Sequence, residues 1–178
     1  MDEKTAELSR AIRDIADFPK PGIIFKDITP LLGNGPLFRK TIDILAERYR
    51  GQKVDTVLGI ESRGFIIGAA LAYSLGAGFA IARKPGKLPY QTRKASYELE
   101  YGTDTLEIHS DAVKPGARVL VADDLIATGG TAAAACELVA LLGGEVVECA
   151  FVIEVGFLKG REKLKKCRVY SILQYDSE

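Results

Sequence analysis

Apolar positions along this chain switch between a helical and a strand-like period, and the switch points mark its elements. Leu8, Ala11, Ile12 and Ile15 recur at helical spacing, predicting a first amphipathic helix that ends near Asp17, before Phe18-Pro19-Lys20-Pro21-Gly22. A second helix is predicted over Leu37 to Tyr49, burying Phe38, Ile42 and Leu45. Short apolar runs then alternate with helical stretches. Strands are expected at Thr56 to Ile60, Phe79 to Ala82 and Val119 to Ala122, with helices from about Gly64 to Leu75 and through the alanine-rich run after Thr131. An apolar run from Val146 to Val155 and a short strand from Arg168 to Leu173 close the chain. Strand, helix, strand at this spacing calls for an α/β fold with a central, mostly parallel sheet flanked by helices. At 178 residues and 47% hydrophobic, one well-buried domain is expected.

Between Arg83 and Ser96 the periodicity lapses into a polar stretch punctuated by Pro85, Gly86 and Pro89, too long for a simple connector. Its basic residues, Arg83, Lys84, Lys87, Arg93 and Lys94, are concentrated in a chain whose 24 Lys and Arg balance 24 Asp and Glu. Alone it reads as a solvated loop; beside an anion site it reads as a basic lid. Overall neutrality gives no field toward nucleic acid or an anionic membrane. No apolar run approaches the roughly 20 residues that span a bilayer. Met1-Asp2-Glu3-Lys4 lacks the plan of a signal peptide, so a cytoplasmic protein is expected. Cys136, Cys149 and Cys167 are widely spaced and His109 is the single histidine, so the thiols are expected to be small buried hydrophobes or inert. His109 ends the alternating stretch Thr105-Leu106-Glu107-Ile108 and is expected as a strand-end surface residue.

The chemistry concentrates in Val119-Leu-Val-Ala-Asp-Asp-Leu-Ile-Ala-Thr-Gly-Gly-Thr131, where two adjacent carboxylates and a small-residue loop separate a buried strand from a helix start. Unpaired N–H groups at such a start attract anions, and ligands of open α/β sheets bind at this edge. Thr128 and Thr131 add hydroxyls, while Gly129 and Gly130 admit a phosphate without Cβ interference. Asp123 and Asp124 would repel a phosphate if aimed at it, yet carboxylates accept paired hydrogen bonds from a vicinal diol. Phosphate and diol together describe a ribose 5-phosphate. The plainer reading leaves Asp124 as a turn cap and the glycines as loop punctuation. Glu61-Ser62-Arg63-Gly64 follows another strand and opens another helix, so it should share this edge. Arg63 offers a planar fork suited to a diphosphate, or is a surface residue behind an N-cap of Glu61 and Ser62.

The segment Val119 to Thr131 resembles the phosphoribosyl pyrophosphate (PRPP) signature of the type I phosphoribosyltransferase family. Phe18-Pro-Lys-Pro-Gly-Ile-Ile-Phe-Lys-Asp-Ile-Thr-Pro-Leu-Leu32, Glu61-Ser62-Arg63-Gly64-Phe65 and Tyr97-Glu-Leu-Glu-Tyr-Gly102 are similar to segments of its adenine-specific branch, in the same order. The likeness runs from about Phe18 to Tyr175. It implies the type I phosphoribosyltransferase fold in a single domain over 1–178, with an N-terminal helix and base-binding hood in 1–35 and a flexible catalytic lid in 83–102. The implied reaction transfers the 5-phosphoribosyl group from PRPP to adenine, giving AMP and pyrophosphate in purine salvage, with Mg2+ held mainly through PRPP and water.

By the same resemblance, Asp123, Asp124, Ala127, Thr128, Gly129, Gly130 and Thr131 would bind the ribose and its 5-phosphate. Arg63 and Lys87 would bind pyrophosphate, with Arg63 also catalytic. Glu100 would be the acid/base at the purine ring, and Tyr101 would close over the site. Ile24, Phe25 and Lys26 would contact adenine, Phe25 by stacking. Lys26 replaces an arginine common in relatives, a mild change if only its main chain touches the base. A non-proline cis peptide would sit within Glu61-Ser62-Arg63. A homodimer is implied, and no nucleic-acid or membrane partner. Hypoxanthine or xanthine as acceptor, and a PRPP-sensing regulator without catalysis, remain open alternatives.

Overall fold

Opposite charges facing one another across a hairpin decide how the chain begins. In the computed structural model, which describes residues 3–98 and 103–177, helix α1 spans Glu3–Arg10 and stops there. Arg13–Ala16 is instead a strand, β1, antiparallel to β2 (Ile24–Asp27). The register pairs Arg13 with Asp27 and Asp14 with Lys26, and both pairs form salt bridges, at 2.6 and 2.8 Å. Such cross-strand pairs stabilise a hairpin. The helix expected to reach Asp17 is thereby corrected: tertiary pairing outweighs the helical spacing of Ile12 and Ile15. The connecting turn contains a cis Phe18–Pro19 peptide and Gly22 at φ 85°.

Next come α2 (Thr29–Gly33) and α3 (Gly35–Tyr49), the latter capped by Asn34, whose side chain accepts from the Leu37 amide at 3.2 Å. Helix α3 buries Ile42 and Leu45, while Phe38 is only half-buried. Then follow β3 (Thr56–Ile60), α4 (Arg63–Leu75), β4 (Gly78–Ala82), β5 (Thr92–Glu98), β6 (Thr103–His109), β7 (Arg118–Ile126), α5 (Gly130–Leu141), β8 (Glu145–Val155) and β9 (Val169–Tyr175). The main sheet has the order β4-β3-β7-β8-β9, with every neighbouring pair parallel. Alternation sorts its two faces. Along β7, Val119 and Val121 join a core with Leu106, Ile108 and Leu138, from the β5–β6 hairpin and α5. Leu120 and Ala122 join another with Leu45, Ile67 and Leu71, from α3 and α4.

Three further expectations change. The polar stretch from Arg83 to Ser96 is not all loop, because Thr92–Glu98 pairs antiparallel with Thr103–His109. Ala95 and Tyr97 point into the core at 3% and 8% exposure, too few apolar residues to mark a strand by pattern. Strand β7 also runs beyond Ala122, so Asp123 and Asp124 belong to the sheet, with Asp123 opposite Phe151 on β8. His109 does end a strand, but it is half-buried, its ring edge-on to Tyr90 at 6.0 Å.

Candidate active site

Strands β3 and β7 are neighbours, yet the chain leaves them in opposite directions: β3 continues through α4 to β4, and β7 through α5 to β8. Their C-terminal ends therefore flank a topological switch point, where loops diverge and leave a crevice. Beyond β7, Ala127, Thr128 and Gly129 lead into α5, whose first turn carries no acidic residue. Gly129 adopts φ 77°, and a Cβ there would lie 2.2 Å from the Gly160 carbonyl oxygen, so only glycine fits. A cavity of about 200 Å³ opens at this point, lined by Asp123, Ala127, Thr128, Gly129 and Thr131 together with Leu125, Ile126, Ala132 and Phe151. Helix-start amides facing a small cavity make an anion site. Gly130 is the first residue of α5 and is buried.

The two aspartates divide between partners. Asp123 lines the cavity and accepts from the Asp124 amide at 2.8 Å. Burial, and then the charge of Asp124, push its carboxyl well above the usual carboxylate range. Asp124 instead accepts a hydrogen bond from Nε of Arg63 in an ion pair. Burial works against the Arg63 charge, but Asp124 outweighs it and raises the guanidinium pKa. The Arg63 guanidinium carbon also lies 5.5 Å from the centre of the Phe25 ring, which meets Phe18 edge-on at 5.2 Å. The residues expected at ribose, pyrophosphate and base thus form one row: Asp124, Arg63, Phe25. Ile24 is 39% exposed beside them. The Lys26 side chain turns away, its Nζ 2.8 Å from Asp14 and 4.5 Å from the centre of the Tyr175 ring.

On the β3 side the Glu61–Ser62 peptide is cis, as the resemblance implied. Neither residue acts as the expected cap: Ser62 makes no side-chain capping bond, and Glu61 faces the polar stretch after β4. Its carboxylate accepts from Lys87 at 2.6 Å, the Lys84 amide at 2.9 Å and Arg83 at 3.1 Å. Burial alone would raise this carboxyl; those bonds outweigh it and bring it to about 2. Lys84 pairs with Asp104, and Lys94 with Glu107 at 2.6 Å. Four of the five basic residues of the expected lid are thus ion-paired with three carboxylates, Arg83 and Lys87 sharing Glu61. Glu61 is the residue that spacing alone missed. Its signal was the cation cluster itself, which in a chain without net charge needs acidic partners. Glu100 and Tyr101 lie outside the described residues.

A larger cavity, about 900 Å³, lies elsewhere, lined by Arg39, Lys40, Asp43 and Arg48 of α3 and Tyr170 of β9 among others. None of the predicted site residues lines it, so volume does not locate the chemistry. Among the described residues, Cys136, Cys149 and Cys167 form the single group of three or more metal-type ligands close enough to share an ion. Thiols widely spaced along the chain, and expected to act as small buried hydrophobes or inert groups, thus converge in the fold.

Residues 28–176 match the phosphoribosyl transferase domain family. The chain is 62% identical over 169 residues to the adenine phosphoribosyltransferase of Syntrophotalea carbinolica, covering 95% of this chain and 99% of that one. Its fold superposes on the adenine phosphoribosyltransferase of Rhodothermus marinus with a TM-score of 0.93 and 55% identity, covering 97% of this chain and 98% of that one. The Saccharomyces cerevisiae enzyme, complexed with an imino-altritol bisphosphate and adenine, gives 0.92 and 45%, covering 97% and 100%.

Proposed function

The chain belongs to the adenine phosphoribosyltransferases within the phosphoribosyl transferase family, and from that premise we propose that it transfers the 5-phosphoribosyl group of PRPP to adenine, forming AMP and pyrophosphate. The observation that carries this reading is the parallel pairing of β3 with β7, from Thr56 opposite Val119 to Gly59 opposite Ala122. It sets the Arg63 loop beside the loop of residues 127–131, with two carboxylates between. A ligand with a phosphate at one end, a diphosphate at the other and a diol between them matches that order.

The sugar carbon passes through an oxocarbenium-like state, so both ends of the donor need anchoring. Ala127, Thr128, Gly129, Gly130 and Thr131 hold the 5-phosphate, and Asp123 and Asp124 accept from the ribose hydroxyls. Arg63 and Lys87 take up charge on the departing pyrophosphate. Both cations are paired beforehand, Arg63 with Asp124 and Lys87 with Glu61. Donor binding is therefore an exchange of ion partners. Phe25 stacks on adenine while main-chain groups of Ile24 and Lys26 pair its edge. Glu100 manages the purine proton, and Tyr101 covers the site. Asp123 and Asp124 are the carboxylates that would help hold Mg2+ beside the donor, and the ion, when bound, would supply Lewis-acid neutralisation of charge on the pyrophosphate. The active unit is a cytoplasmic homodimer serving purine salvage.

Product formation from adenine, hypoxanthine and guanine, each with PRPP and Mg2+, tests the assignment. AMP formation from adenine is expected to dominate. Comparable kcat/KM for hypoxanthine would replace the acceptor, and PRPP binding without turnover of any base would indicate a regulator.

A further inference from the structure

Cys136 lies on α5, Cys149 on β8 and Cys167 just before β9, yet their sulfur atoms all fall within 4.8 Å of one another. Cys136 and Cys149 are 3.3 Å apart, and all three are free thiols. Cys149 is fully buried; the other two are half-buried and pack against the same core cluster. The Cys149 amide donates to the Arg168 carbonyl at 2.9 Å, and the Cys167 amide to the Leu164 carbonyl at 2.8 Å. These bonds fix the backbone that brings the last two sulfurs together.

Space-filling does not explain this convergence, because apolar packing has no preference for sulfur on three separate elements. A disulfide would use two sulfurs and leave the third without a role. A first coordination shell explains all three. With metal–sulfur bonds of about 2.3 Å, sulfurs sharing an ion stand roughly 3.8–4.0 Å apart. The 3.3 Å pair and the 4.8 Å outer limit bracket that spacing.

We propose that Cys136, Cys149 and Cys167 form a three-thiolate site for a thiophilic d10 cation: Zn2+ with water as fourth ligand, or Cu(I) in trigonal coordination. Soft sulfur ligands select such ions over Mg2+. Binding sends the thiol protons to solvent and needs no oxidant. The partial exposure of Cys136 and Cys167 gives the ion a way in. None of the residues assigned to PRPP or adenine belongs to the site. A bound ion would join α5, which begins at the phosphate loop, to β8 and the segment entering β9, so its effect falls on stability.

The test uses untagged full-length protein, stripped with chelator and kept reduced by a phosphine without air. Zn2+ and Cu(I) are titrated separately against chromophoric chelators, and Co2+ serves as a spectroscopic probe. One competitor-resistant equivalent per chain is expected for at least one of the two cations, with thiolate-to-cobalt charge transfer and a raised thermal midpoint. Cys136→Ser and Cys167→Ser should each weaken binding by more than the roughly 10–100-fold lost when a second-shell partner is removed. AMP formation by the variants freed of Zn2+ and Cu(I), assayed with PRPP, adenine and added Mg2+, should match that of the parent treated the same way, showing that they fold. Whichever cation is retained identifies the ion. No retained equivalent of either, retention that survives both substitutions, or a reduced protein that takes no metal and only forms a disulfide in air would each overturn the proposal.

Discussion

Lys87 Nζ lies 2.6 Å from Glu61 Oε1, so a cation assigned to pyrophosphate rests on a carboxylate at the end of the neighbouring strand. Arg83 and the Lys84 amide share that carboxylate and, against the opposing effect of burial, hold it near 2 instead of the ordinary 4.5. A depressed folded-state value means that the contribution to stability is complete above about pH 4.5 and is lost as pH falls toward about 2. The difference in unfolding free energy between the parent and Glu61→Gln should therefore be flat near neutrality and shrink with acidification below pH 4.5. Urea denaturation across that range measures it. A difference that widened in acid would place Glu61 in another environment.

The same contact competes with substrate. Lys87→Ala should raise the KM for PRPP by about tenfold, the equivalent of roughly 1.4 kcal/mol, while leaving the KM for adenine near the parental value. Glu61→Gln should lower the KM for PRPP, because Lys87 no longer has to leave a negative partner. Steady-state kinetics with PRPP varied decides it: an unchanged KM in Lys87→Ala would remove that residue from the pyrophosphate site.

Asp123 presents the opposite electrostatics. Burial and the neighbouring Asp124 raise its carboxyl, so folding favours the neutral form and stability falls as pH climbs from 3.8 through the folded-state value. Asn keeps the oxygen that accepts from the Asp124 amide and removes the charge. Asp123→Asn should be more stable than the parent at pH 8 and should bind PRPP more weakly. Thermal midpoints and calorimetry together test this. Unaltered PRPP affinity would contradict the diol assignment, and a variant less stable than the parent at pH 8 would contradict the raised carboxyl.

Elements whose pattern and packing agree were legible in the chain. Thr56–Ile60 is a strand in both readings, and α3 and α4 start within two residues of their expected positions. Arg13–Ala16 was misread because its spacing is local while its stabilisation is not: Arg13 and Asp14 find Asp27 and Lys26 across a turn. Thr92–Glu98 was invisible because only Ala95 and Tyr97 mark its inner face. The motifs and the family resemblance had singled out Asp124, Arg63 and Phe25, but not that they stand in one row. Glu61 as a counter-ion to the basic stretch depends on β3 and β4 lying side by side, which no single segment encodes.

Glu100→Gln separates proton management from binding. If Glu100 serves the purine ring, single-turnover transfer should slow by about 10²–10⁴-fold, the range for removing a positioned acid/base, with PRPP affinity retained. Rapid-quench measurement of AMP formation reads the chemical step directly. Parental rates would take Glu100 out of the mechanism.

Phe25 and Lys26 are adjacent on β2 but should fail differently. Phe25 is half-buried, with the Phe18 ring edge-on at 5.2 Å and the Arg63 guanidinium carbon 5.5 Å from its ring centre. Truncation to Ala should raise the KM for adenine by about tenfold or more, consistent with roughly 1–3 kcal/mol for a base–aromatic stack. Lys26 is buried, and its ammonium is engaged by Asp14 and Tyr175, so its side chain holds the hood together and leaves only main chain for the base. Lys26→Met should lower the thermal midpoint, because Asp14 and the Tyr175 ring lose their cation, while the KM for adenine measured well below that midpoint stays within about twofold; such a change is under roughly 0.5 kcal/mol. If Lys26→Met instead raises the KM for adenine as much as Phe25→Ala does, the side chain reaches the base and acts as a specificity determinant.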